Sequence, residues 1–254
     1  MKNESQKEET LHTLDEEETI LKRFRSIPSS RIVYSGRFFH CFRIERLIKS
    51  VFFSRSWIDS SSKSDLPPDF HNDKHRVMME MMRIDDAEQR FPNSFQRTNT
   101  YLEKHFGKGY KKEMNGSELF FIPNTRNDKE YNFKGYFRNF ERVLTKHSDK
   151  VDEYHQHYPK CKTCILFICD ESNAYYQAVD NSEKIIIHIC FKDEKFVKII
   201  KGCNADYVVW FTLYKTIFRD NGKEIKLPYA FIYDVKHLKQ TDISYDHSKM
   251  VKIQ

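Results

Sequence analysis

Residues 161–169 read CKTCILFIC, 184–191 read KIIIHICF, 206–213 read DYVVWFTL and 229–235 read YAFIYDV. Each is a short, nearly uninterrupted apolar run rich in β-branched and aromatic residues, which is how strands covered on both faces read. The second and third runs are separated by DEKFVKIIKG (193–202), with Asp193 placed to start a short helix and Gly202 to end it. Strands alternating with helices predict an α/β fold, a mixed and mostly parallel sheet of about four to six strands flanked by helices. The DNG at Asp220 to Gly222, between TIF and EIKL, signals a hairpin turn.

Working outward, the longest helical pattern precedes these strands. From Asn132 to His157 the residues Phe133, Tyr136, Phe137, Phe140, Val143, Leu144, His147, Val151 and Tyr154 share one broad face. On the other side Lys134, Arg138, Arg142, Lys146 and Lys150 recur every fourth residue, a row of cations that winds slowly round the helix. Further back, HNDKHRVMMEMMRIDDAEQ (71–89) predicts a second helix, capped by Asn72 or Asp73, whose face of Val77, Met78, Met81, Met82 and Ile84 joins the core. An amphipathic helix is expected over Phe38 to Phe53, a short one after the capping-box spacing Thr100 to Glu103, and a strand at ELFFIP (118–123). DSSSKSDLPP (59–68) reads as a connection.

The chain has 254 residues, and its 39% hydrophobic content, with 21 Phe and 14 Tyr, is enough to build a sizeable core. Only 7 Gly and 7 Pro argue against collagen-like repeats and Gly-rich linkers. No stretch approaches a membrane span, and MKNESQKEETLH lacks a secretion signal's apolar core, so a cytoplasmic protein is expected. The six cysteines fit free thiols in a reducing compartment. Residues 1–19 carry seven acids, whereas Lys22 to Trp57 is basic and aromatic, including Arg37 and Arg43. Two regions follow: residues 1–58, an acidic tail then a basic N-terminal extension, and residues 59–254, the main α/β domain. The net charge of +6, the Lys134 row and the basic extension make nucleic acid the expected partner, through Lys134, Arg138, Arg142, Lys146, Arg37 and Arg43.

In open α/β sheets ligands bind beyond the carboxyl ends of the strands. CILFIC runs into Asp170 and Glu171, and YAFIY into Asp234; on parallel neighbouring strands these carboxylates would converge and hold Mg²⁺ with its water. Asp85 and Asp86 are further candidates. Asp170 at one strand end, with Asp193, Glu194 and Lys195 after the next, resembles the PD-(D/E)XK nuclease pattern, although Cys169 stands where that pattern has Pro. The resemblance implies that Asp170 and Asp193 bind metal and Lys195 orients the attacking water. The catalytic expectation is therefore Asp170, Glu171, Asp193 and Lys195, and the metal expectation Asp170, Asp193 and Asp234. His155, His157, Cys161 and Cys164 are zinc-binding residue types, but their crowding across a helix end reads against zinc.

No GxGxxG, GKS or GKT occurs and no G-x-S-x-G elbow, which sets aside the usual nucleotide cradles and serine hydrolases. LPPDFHNDKHRVMMEMMRIDD, CDES and DYVVWFT also resemble a family of uncharacterised bacterial proteins, a resemblance that brings no activity with it. The sequence thus leads to a nucleic-acid-engaging protein, a metal-dependent nuclease or phosphodiesterase. The alternatives are a non-catalytic nucleic-acid- or protein-binding module and an enzyme acting on a small phosphorylated substrate.

Overall fold

The computed structural model describes residues 20–35, 38–50, 57–60, 67–86, 132–179, 185–212, 216–218, 224–226, 228–239 and 243–252. Helix α1 (20–26) leads to β1 (Ile32–Ser35), α2 (Phe38–Lys49), β2 (Ile58–Asp59), β3 (Phe70–Asn72) and β4 (Val77–Ile84). Helices α3 (Phe133–Ser148) and α4 (Val151–His157) precede β5 (Thr163–Asp170), β6 (Tyr175–Ala178) and β7 (Ile185–Ile187). Then follow α5 (Glu194–Lys201), β8 (Tyr207–Phe211), β9 (Thr216–Phe218), β10 (Glu224–Lys226), β11 (Ala230–Asp234) and β12 (Met250–Lys252).

The fold is α/β, as expected. Its main sheet has seven strands in the order β1-β11-β8-β5-β4-β3-β2, with β4, β5 and β8 parallel at the centre and β1 parallel to β11. Both faces are covered, and the alternation along β5 shows how. Cys164, Leu166 and Ile168 join α3, α4 and α5 in one core, while Ile165, Phe167 and Cys169 join α1, α2 and Trp57 in the other. The continuous apolar runs at 161–169, 206–213 and 229–235 are therefore strands sandwiched between two helical layers.

The stretch 71–89 is a correction. Val77 to Ile84 is not a helix but strand β4, paired in register with β5 from Val77↔Thr163 to Ile84↔Asp170. Met78 and Met82 face one core and Met79 and Met81 the other. An unbranched apolar run that is buried on both sides carries no period of its own, so tertiary pairing decides its state. Asn72 caps not a helix but the β3–β4 turn, where its Oδ1 accepts the His75 N–H at 3.0 Å and Arg76 takes the left-handed φ of 58°. KIIIHICF is the second correction. Its strand β7 lies outside the main sheet, in a small antiparallel one ordered β12-β6-β7.

The helix expected over 132–157 is two helices. Asn132 caps α3 by accepting the Gly135 N–H at 2.9 Å, and α3 ends at Ser148 because the loop before β8 engages it. Asn204 donates its backbone N–H to Ser148 Oγ and its side-chain N–H to the Ser148 carbonyl. Asp193 and Gly202 bound α5 as read from sequence, and β9 and β10 pair antiparallel on either side of the DNG. The N-terminal region supplies both edge strands of the sheet, β1 and β2. The elements expected at 100–106 and 118–123 lie outside the described residues.

Candidate functional site

The carboxylates predicted to converge are distributed by the topology. Because β11 runs antiparallel to β8, Asp234 pairs with Tyr207 and so lies level with Ile165. Asp170 is five residues further along β5, roughly 16 Å away at 3.3 Å per residue, at the opposite end of the sheet. Asp234 accepts from the backbone and ring of His237. Asp170 is buried and fully engaged, accepting from Tyr136 Oη (2.7 Å), Trp210 Nε1 (2.8 Å), Ser172 Oγ (2.7 Å) and the Ser172 N–H (3.0 Å). Glu171 is exposed and forms an ion pair with Arg83. Asp86, just past the end of β4, is buried and accepts from Asn173 and Tyr175, although its Oδ1 has no hydrogen-bond partner among the described residues. The strand-end acids therefore tie β4, β5 and α3 together.

Asp193 belongs elsewhere. It precedes α5 with extended backbone, and its Oδ1 accepts the Lys195 N–H at 2.9 Å as the helix cap. Its Oδ2 accepts from two imidazoles at once, His188 Nε2 at 2.7 Å and His247 Nε2 at 2.8 Å. Burial opposes the charged form of this completely buried side chain, but the two imidazole hydrogen bonds outweigh it and hold the carboxyl well below the usual range. Lys195, on the exposed side of α5, contributes only that backbone N–H.

Three different parts of the chain assemble this cluster. His188 directly follows β7 and is fixed by its N–H to the Tyr175 carbonyl at 3.0 Å. His247 arrives from the tail, which is held by β12 on β6, by the Glu194 N–H to the Ile243 carbonyl, and by Tyr245 Oη accepting the Ile189 N–H. Phe133, Phe137 and Phe196 pack their rings against His247 at 4.7, 5.0 and 6.1 Å. His188 is sealed in, while His247 reaches the surface as one wall of a cavity of about 630 Å³.

The first two turns of α3 form the facing wall, with Phe133, Lys134, Phe137, Arg138 and Glu141, and Asn132 lies at the rim. A cavity of this size, walled by aromatic rings and two cations against one acid, suits an anionic, flat ligand. Lys134 and Arg138 belong to the predicted cation row, and Arg142 and Lys146 continue it along the exposed side of α3 for about 18 Å from Lys134. Arg43 is exposed on α2, behind the opposite face of the sheet, and Arg37 lies outside the described residues.

Among the described residues, His188, Asp193 and His247 are the one group of three side chains able to share a metal ion, with donor atoms all within 4.8 Å of one another. Of the expected metal set it contains Asp193 alone. His188 reads in the sequence as a satisfied core histidine, and His247 stands in a tail without periodicity; only the β6–β12 pairing reveals them. The zinc-type residues at 155–164 point to separate partners: His155 Nδ1 meets the Cys161 carbonyl, His157 Nδ1 the Pro67 carbonyl, and Cys161 Sγ the Val77 carbonyl. No helix among the described residues is long and apolar enough to cross a membrane. Comparisons with protein-family models, curated proteins and solved structures find no match to this chain.

Proposed function

We propose that the protein engages nucleic acid along the exposed face of α3 and cleaves a phosphodiester in the cavity beneath its first two turns. The observation that carries this reading is the coincidence of two features in one cavity. Lys134 and Arg138 come from the cation row, and His247 opens onto the same space while hydrogen-bonded to a buried carboxylate. The row supplies a sequence-independent grip on phosphates, the half-buried Phe137 supplies a ring face for a base, and the His–Asp–His cluster supplies the reactive groups. On this reading the chemistry lies at Asp193 rather than at Asp170, whose oxygens are taken up by Tyr136, Trp210 and Ser172.

The test is binding of labelled duplex, single-stranded DNA and RNA across a salt series, with divalent metal added and products resolved on a gel. Each lost phosphate contact lowers the log–log salt slope by about 0.9 for duplex, so Lys134→Glu and Arg138→Glu should each flatten it by about 1. Arg43→Glu, behind the other face of the sheet, should leave the slope unchanged. Binding without cleavage reduces the reading to a binding module. Wild-type behaviour in both α3 variants, or no binding at low salt, overturns it.

A further inference from the structure

We infer that His188, Asp193 and His247 form a binding site for a transition-metal ion of the Zn²⁺ or Fe²⁺ class, reached from the cavity at α3. The inference stands on donor geometry; only what the metal acts on rests on the nucleic-acid reading.

A carboxylate oxygen can only accept, so at 2.7 and 2.8 Å both Nε2 atoms carry their proton toward Asp193 Oδ2. Two protons are thus held where a single cation would satisfy the same three atoms. Asp193 cannot turn away, because Oδ1 is occupied by the Lys195 N–H and the helix start fixes the backbone. His188 is held equally firmly, by the small sheet and by ring contacts to Phe133 and Tyr245 at 5.0 and 4.8 Å.

Donors around a tetrahedral ion lie about 3.3 Å apart, given metal–ligand distances near 2.0–2.1 Å. The two Asp193–imidazole pairs have to open by roughly half an ångström to accept one, and the two imidazole nitrogens, which lie within 4.8 Å of each other, have to settle at the same spacing. His247 can supply that movement, since it is the partly exposed member and sits in the short helical turn His247–Lys249. Two imidazoles and one carboxylate are also the right donors for such an ion. Mg²⁺ prefers an all-oxygen shell with several waters, whereas nitrogen donors select the later transition metals. Three protein ligands leave at least one position for water or substrate, and His247, the member of the cluster that lines the cavity, is the side from which that position is reached. The surrounding phenylalanines supply the dry wall that strengthens the ion's polarising effect.

The experiment uses the full chain, stripped of metal with a chelator and then titrated with Co²⁺ alone while visible absorption and metal content per chain are followed. One ion per chain is expected, with the intense d–d bands of a four- or five-coordinate nitrogen–oxygen site, displaced by Zn²⁺. His247→Ala, at the accessible position, should fold and lose more affinity than the roughly 10- to 100-fold that an outer-shell partner costs. The variant H155A/H157A removes a surface pair and should bind as the wild type does. Because His188→Ala disturbs a buried site, thermal unfolding of His247→Ala with and without Zn²⁺ is the second readout: the wild type should gain stability from the ion and the variant should not. Wild-type Co²⁺ binding in His247→Ala, loss of binding only in H155A/H157A, or no stoichiometric binding would overturn the site. Nucleic-acid binding is scored separately, so either reading can fail alone.

Discussion

Asp170 illustrates how one side chain can look catalytic and be structural. Its two oxygens receive four hydrogen bonds, two of them from the buried Tyr136 and Trp210 that stack the α3 and β8 layers together. Asp170→Ala strands those donors without partners and should destabilise the protein by about 3–5 kcal/mol in urea unfolding. A change under about 1 kcal/mol would show that the network is dispensable. Any activity lost in that variant therefore has to be judged against its stability. His71 gives the pH dependence. Burial lowers its pKa below 6.5, with the charge of Asp73 only partly opposing, while its ring lies 4.2 Å from Tyr158. As pH falls, the unfolded chain takes up this proton first, so the contribution is complete above about 6.5 and fades below it. Unfolding between about pH 7.5 and about pH 5.5 should show a smaller loss of stability in His71→Gln than in the wild type. Parallel curves would dismiss the effect.

Among the elements, β4 separates two readings of one sequence. As a helix, 71–89 leaves Met79 off the apolar face; as a strand beside β5, it buries Met79 completely against α1 and α2. Met79→Ala should cost about 2–5 kcal/mol by chemical denaturation, against a few tenths for an exposed position. Strands β5, β8 and β11 were legible because β-branched and aromatic residues fill them. β4 was not, because methionine favours helices and its run has no alternation to correct that preference. α5 was legible to the residue, since Asp193 and Gly202 mark both ends chemically. Half the candidate site followed the same rule. Asp193, Lys134 and Arg138 announce themselves through spacing, whereas the partners of Asp193 depend on a tail strand that pairs far back in the chain.

At the scale of the molecule, the sheet divides the predicted cationic surface. α2 and α3 cover opposite faces, so Arg43 and Lys134 cannot grip one ligand from the same side, and the cavity described above lies on the α3 side. The same sheet is completed by its least local pairing, β1 against β11, which joins Ile32 to Ala230. A ribosome adding about 5–20 residues per second takes some 10–40 seconds to cover the intervening sequence. Until then Ile32 on β1 has no partner strand, although β4, β5 and β8, which complete the core around Phe24 and Ile48, are already made. Closure of this edge of the sheet thus waits for Ala230, and a chain stalled before it would display an unpaired β8 edge and an unpaired β1, the features that recruit holdase chaperones and quality-control proteases.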